Sequence, residues 1–319
     1  MSDPPVLDTF DITKVDTKQF MMLVFGPSGA GKTFFVKDLV YQLYLQNYWK
    51  EFYLMSKTEN TTHAFNIFPK KNVSNTLRLD WIEAVINKRL GQRQDTLTPL
   101  MIVIDDFQTD RDLGRSKAMK TLFTLGRNLN LGCIILLQNI NPASSVGPEI
   151  RTNANFIVLL KLKGKKNNLF VQDEYLYSSN PLTRDVGKQI LEKYTTGFID
   201  TSTGNYIPRL LVISLKKWTH ATFFREYMYT YVARPVPADF VMGPYTPSPA
   251  TRRRLGQKLE SLGHIETCTS FYQDLVNSST RSTQPRLVFR NFPKVLQAFY
   301  TMLSPSKRYY NIDTFINNI

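Results

Sequence analysis

Residues Met21 to Thr33 read MMLVFGPSGAGKT, and this stretch decides the fold. Met21 to Phe25 is a short apolar run closed by a turn, which predicts a buried strand. After it, FFVKDLVYQLYLQ repeats Val36, Leu39, Val40 and Leu43 at the i, i+3, i+4, i+7 spacing of one helix face. Strand, glycine-rich loop and helix in that order are the context that G-x-x-x-x-G-K-[ST] requires. Gly26, Gly29 and Gly31 allow backbone angles that turn successive N–H groups inward as an anion nest at a helix N-terminus. Gly26, Pro27, Ser28, Gly29, Ala30, Gly31, Lys32, Thr33 and Phe34 are therefore the candidate nucleotide-binding residues. Lys32 is expected to reach the β- and γ-phosphates of ATP, and Thr33 to offer its hydroxyl to Mg²⁺.

Downstream, Leu100 to Asp106 reads LMIVIDD. A buried parallel strand ending in a carboxylate brings negative charge beside the phosphates, where Mg²⁺ is held. Asp105 is the candidate metal residue. Asp106 stands where a base would polarise the attacking water, although Asp is one methylene shorter than the more usual Glu. Asp110 and Asp112 read as a solvated loop. A third run, Cys133 to Leu137, ends in Gln138, a candidate γ-phosphate sensor or holder of the lytic water. A fourth, Phe156 to Leu160, follows Arg151 and Asn153. Arg115 to Leu129 has helical spacing at Ala118, Leu122 and Leu125. Arg127 and Arg151 are candidate arginine fingers acting on a neighbouring subunit's nucleotide. Apolar strands alternating with helices predict an α/β fold with a mostly parallel central sheet.

Composition sets the outer bounds. The chain has 319 residues, 42% of them hydrophobic and 21% charged, as in a folded globular protein. Forty Lys and Arg against 26 Asp and Glu give a net charge of +14, which favours a polyanionic partner such as a phosphate backbone. Two cysteines imply no disulfide framework and a reducing compartment. The first ten residues lack the charged and apolar regions of a signal peptide. No apolar run approaches the roughly 20 residues of a membrane span. Three histidines, His63, His220 and His264, suggest no metal-ligand cluster.

The Gly26–Thr33 loop, the VIDD strand, the Arg127–Asn128 helix end before the strand closing in Gln138, and Pro148 to Asn153 (PEIRTN) together resemble the FtsK–HerA superfamily. Within it the pattern is most similar to the genome-packaging ATPases of poxviruses, other large DNA viruses and virophages. The resemblance covers about residues 15 to 235. It implies a homo-oligomeric ring, hexameric or pentameric, that hydrolyses ATP with Mg²⁺ and drives double-stranded DNA into a capsid. It also implies capsid vertex proteins as partners and a viral assembly site in the host cytoplasm or nucleus, or the virion itself. Carried over by position, Lys32 and Thr33 bind nucleotide, Asp105 binds Mg²⁺, Asp106 is the base and Gln138 the sensor. The sequence departs from the pattern with Asp106 in place of Glu and Asn128 in place of His.

Lys161 to Lys166 (KLKGKK) is a basic loop that could grip phosphates, or simply be solvated. Thr183 to Tyr194 reads as a helix. Gly197–Asp200 and Tyr206–Leu215 read as two strands about the turn Thr203–Asn205. The aromatic run Tyr227 to Tyr231 reads as core in preference to a base-stacking surface. Five prolines in Pro235 to Pro249 mark a linker. Three regions are expected: an ATPase core over 1–235, a proline-rich linker over 236–250 and a basic extension over 251–319. From Tyr245 onward ten Lys or Arg stand against four Asp or Glu. Two other readings remain at this level, a nucleotide-kinase-like phosphotransferase and a structural DNA-binding virion component with a vestigial ATP site. No arginine-rich lid supports the first.

Overall fold

A computed structural model describes residues 6–242, apart from 17, 141–145, 177–183, 203, 219–223 and 239. The chain divides into two compact units, Met1–Met242 and Gly243–Ile319. The basic extension, with Arg252, Arg253 and Arg254, and most of the expected linker lie outside the described residues.

The strands are β1 (Asp8–Thr9), β2 (Met21–Phe25), β3 (Glu51–Ser56), β4 (Val73–Ser74), β5 (Leu100–Asp105), β6 (Leu131–Leu137), β7 (Phe156–Leu159), β8 (Phe198–Ile199), β9 (Tyr206–Ile207), β10 (Arg209–Ser214) and β11 (Met228–Val232). The helices are α1 (Lys32–Leu45), α2 (Glu59–Thr62), α3 (Leu79–Arg89), α4 (Arg111–Arg115), α5 (Lys117–Leu125), α6 (Pro148–Thr152), α7 (Lys165–Val171), α8 (Arg184–Thr195) and α9 (Leu215–Trp218). Nine strands form one sheet in the order β1-β11-β10-β7-β2-β6-β5-β3-β4, and β8 pairs with β9 apart from it. From β7 through β4 every pairing is parallel, while β10 runs antiparallel to both β7 and β11. The expected α/β fold with antiparallel strands toward one edge is the fold observed.

The continuous apolar strands follow from burial on both faces. Met21, Leu23 and Phe25 point into one core with Ile82, Ile86, Leu122 and Ile190 of α3, α5 and α8. Met22 and Val24 point into the other, with Phe35, Val36, Leu39 and Val40 of α1. Side chains alternate along a strand, so both sides of β2 must be apolar, and the sheet becomes the middle of three layers.

Local chemistry explains three departures from the sequence reading. The helix expected over 115–129 is divided: Ser116 is extended (ψ 134°) and its hydroxyl accepts the Ala118 N–H, which starts α5 afresh. A tight turn over Gly126–Leu129 then ends it. The strand expected from Tyr206 to Leu215 breaks at Pro208, which has no N–H to donate. β9 stays with β8 on its small hairpin, and β10 crosses into the main sheet. In the stretch expected to open the linker, Val236, Phe240 and Met242 are seated on the core. The Phe240 ring packs edge-on to Tyr41 and Tyr44, and the Met242 N–H donates to the Ile67 carbonyl at 2.7 Å.

The aromatic run ends in a buried anchor. Tyr227 and Tyr231 are buried, the Tyr231 hydroxyl donates to Asp38 on α1 at 2.7 Å, and the Arg234 N–H donates to the same oxygen at 2.8 Å. Burial raises the Asp38 pKa, and the bonds from Tyr231, Arg234 and Gln42 oppose that rise. Asp38→Ala is expected to destabilise the fold by about 1–3 kcal/mol in urea unfolding, because it strands a buried hydroxyl. Adding Tyr231→Phe should recover part of that loss by removing the orphaned group.

Candidate nucleotide-binding site

The phosphate loop leaves the C-terminal end of β2 and is held there by the Gly26 N–H, which donates to the Leu137 carbonyl at 3.0 Å. Gly31 is the N-cap of α1 in the left-handed region, at φ 95°, a conformation strained for any other residue. A Cβ there would also lie 2.9 Å from Cβ of Pro208. Gly26 is required by close approach, since a Cβ would stand 2.9 Å from that of Leu160. The Lys32 ammonium folds back over the loop and donates to the carbonyl oxygens of Gly26 (2.7 Å) and Pro27 (3.0 Å). Its pKa is held below the usual ammonium value by burial, an effect partly opposed by the charges of Asp105 and Asp106.

β6 lies between β2 and β5, so Gln138 and the Asp105–Asp106 pair meet at the same sheet edge as the loop. Asp105 ends β5 opposite Ser56 of β3, whose hydroxyl donates to it at 3.4 Å. Desolvation first, then the neighbouring Asp106 charge, push the Asp105 pKa from 3.8 up to about 6. Lys32 and Ser56 oppose the rise, and Glu59 adds to it. Asp106 itself adopts φ 62°, an unusual angle for a residue with a side chain and one that concentrates at functional sites. The Gln138 amide donates to Asp106 at 3.4 Å, and its backbone N–H donates to the Gln108 side chain at 2.8 Å.

The two arginines are placed differently. Arg127 is exposed, in the turn before the seven-residue β6. It therefore lies at the opposite sheet edge, about 20 Å of strand from the loop, out of reach of this chain's own nucleotide site. Arg151, expected as a second finger, is only 7% exposed. It donates to the Val146 carbonyl at 2.9 Å and lies over the Phe170 ring at 5.4 Å, so it acts as a buried anchor of α6 against α7. Periodicity does not report burial in so short a helix, so nothing in the linear pattern marks Arg151 as buried.

Ser56 and Glu59 were not singled out from the sequence. Both are buried, and Glu59 accepts the Phe65 N–H at 2.8 Å. Ser56 closes the EFYLMS strand and Glu59 opens α2 three residues later, and no motif marks either position.

The residues fit a magnesium-bound nucleotide. Asp105 is a partly buried carboxyl with a single long side-chain hydrogen bond and a raised pKa, the state in which a carboxylate gains most from a cation. Among the described residues no three His, Cys, Asp or Glu side chains gather to hold a metal. A Mg²⁺ bound through one or two protein oxygens, phosphates and water needs no such cage.

Phosphate loop, acidic strand and the intervening strand that ends before Gln138 define a P-loop ATPase. The chain belongs to the Poxvirus A32 protein family, whose model matches residues 7–177, and the resemblance to viral packaging ATPases is thereby sustained. Comparison with curated protein sequences gives no match. Among solved structures the chain is similar to the genome packaging NTPase B204 from Sulfolobus turreted icosahedral virus 2 in complex with AMPPCP, at 12% identity over 69% of this chain and 100% of that one, with TM-score 0.44. It is also similar to the DNA-packaging ATPase B204 from Sulfolobus turreted icosahedral virus, at 10% identity over 69% and 98%, TM-score 0.41. The cytoplasmic domain of the Thermomonospora curvata Type VII secretion ATPase EccC matches at 14% identity over 72% and 26%, TM-score 0.41. No helix among the described residues is long and apolar enough to cross a membrane.

Proposed function

We propose that this protein is an ATP-driven motor that moves double-stranded DNA into a viral capsid at the assembly site in the host cell. The observation that carries the reading is the convergence of Lys32, Asp105, Asp106 and Gln138 on one sheet edge. The exposed lysines 161, 163, 165 and 166 follow β7 at that same edge. Family membership supports the packaging role, and the net charge of +14 suits a phosphate backbone.

In this mechanism Lys32 exchanges its two loop carbonyls for phosphate oxygens. Thr33 and Asp105 would hold Mg²⁺, which neutralises charge on the phosphates. Asp106 orients the attacking water and accepts its proton. Gln138, hydrogen-bonded to Asp106, reads whether the γ-phosphate is present. Arg127 faces solvent and is the candidate contribution from a neighbouring subunit in a homo-oligomeric ring. The basic extension over 251–319, beyond a linker, remains a candidate docking arm for DNA or a capsid vertex.

The test is steady-state ATP turnover of the full chain with and without long duplex DNA at two salt concentrations. Turnover is expected to rise with DNA, and that rise to shrink at the higher salt as phosphate contacts are screened. Turnover indifferent to DNA would overturn the motor reading. DNA binding with no turnover at all would favour a structural role with a vestigial ATP site.

A further inference from the structure

The β8–β9 hairpin carries apolar side chains that no core absorbs: Phe198 is 42% exposed, Tyr206 48% and Ile199 66%. Register decides which of these share a face. Phe198 stands opposite Ile207 and Ile199 opposite Tyr206. Opposite residues share a face and neighbours along a strand alternate, so Ile199 and Tyr206 lie on one face and Phe198 and Ile207 on the other. Arg209 covers the second face, its guanidinium 5.6 Å from the Phe198 ring centre.

The chain that leaves this hairpin runs directly to the phosphate loop. Two residues beyond Tyr206, Pro208 abuts Gly31 so closely that a Cβ on that glycine would lie 2.9 Å from Cβ and 3.0 Å from Cγ of the proline. The Tyr206 ring lies back over Gly197, where a Cβ would fall 2.5 Å from its Cζ and hydroxyl. A Cβ at 197 would also meet the Ile207 carbonyl oxygen at 2.5 Å, so only glycine allows this close approach of a half-exposed ring.

The sheet order gives the direction of the nucleotide. Asp105, Asp106 and Gln138 close the site on the β6–β5 side of β2 and so mark the γ-phosphate end. Pro208 and Leu160 touch Gly31 and Gly26 from the β7–β10 side. A nucleotide with its phosphates in the loop and its γ-phosphate at Gln138 must extend its nucleoside toward that second side.

We propose that Tyr206, whose ring lies over Gly197 two residues before the proline that touches Gly31 of the phosphate loop, is the stacking platform for the base of the bound nucleotide. This rests on the reading of Gly26–Thr33 as a nucleotide site. A purine presents the larger flat face and stacks best on such a ring.

The experiment measures calorimetric binding of a non-hydrolysable ATP analogue and of inorganic tripolyphosphate to the full chain, to Tyr206→Ala, to Tyr206→Phe and to Lys32→Ala. Tyr206→Ala is expected to weaken the ATP analogue on the order of tenfold and to leave tripolyphosphate unchanged. Tyr206→Phe should bind both as the wild type does, and Lys32→Ala should weaken both. Unchanged affinity of Tyr206→Ala for the analogue overturns the proposal, and does so in favour of a contact with a second copy if sedimentation shows that the same variant assembles less. Equal weakening of both ligands by Tyr206→Ala overturns it as a general distortion of the site. If the wild type binds neither ligand, the phosphate-loop reading fails and the proposal with it.

Discussion

Lys32→Ala is expected to lower ATP turnover on the order of 10²–10³-fold or more, the scale of losing one preorganised charge that faces developing negative charge. The cost should be large because the ammonium is already desolvated and aimed. Burial holds its pKa down, and it rests on the carbonyl oxygens of Gly26 and Pro27 at the mouth of the nest. Giving up two neutral acceptors for anionic phosphate oxygens is favourable where water is scarce, since the ammonium then faces full opposite charges and no longer only carbonyl dipoles. Stability should change little, because the variant loses two hydrogen bonds and also a buried charge that the fold had to accommodate. Turnover assays paired with urea unfolding separate the two effects. A variant that keeps more than a tenth of wild-type turnover would show that this loop does not bind the reacting phosphates.

The second large effect is expected at Asp105, where activity and stability should move in opposite directions. An Asp in the unfolded chain ionises near 3.9, whereas burial and the Asp106 charge put this one at about 6 when folded. Between those values the folded state binds more protons than the unfolded state. This group therefore makes stability fall as pH rises from about 4 to about 6, and the deficit persists above that range. A difference of about two units corresponds to ~3 kcal/mol. Asp105→Asn should recover much of that amount at pH 7 and flatten the pH dependence of unfolding in the nucleotide-free protein, while turnover falls on the order of 10²-fold or more with the loss of the metal-facing charge. If Asp105 holds Mg²⁺ as proposed, it does so ionised, and affinity for magnesium nucleotide should drop as pH is lowered below about 6. Thermal unfolding from pH 4 to 8, with and without the nucleotide, measures both trends. An Asn variant less stable than the wild type at pH 7 would contradict the strained carboxylate.

Much of the architecture was legible because its determinants are local. The runs Met21–Phe25, Leu100–Asp105 and Phe156–Leu159 are strands close to where their apolar patterns put them, since parallel strands buried on both faces need unbroken hydrophobic sequence. β3 carries the apolar run Phe52–Met55, which is too short for periodicity alone to distinguish a strand from a piece of buried helix. It pairs with β5 along its whole length, a long-range fact with no local trace. Arg151 misled for a related reason: an arginine before a core strand looks solvent-facing in sequence, and its burial becomes tolerable through the Val146 carbonyl it donates to and the Phe170 ring it lies over.

The sequence by itself determined that Gly26 to Thr33 form a phosphate nest ahead of a helix, and that an acidic strand and a glutamine-ended strand belong to the same sheet. Thirteen consecutive residues contain all the chemistry of the first, so no distant contact had to be known. Only the tertiary structure decided that β6 lies between β2 and β5, which brings Gln138 to Asp106, and that Pro208 presses on Gly31. It also decided that Asp105 is desolvated enough to titrate near 6. Each of these depends on neighbours far away in the chain, and their effect on a charge or a backbone angle arises only when folding brings them close and excludes the water between them.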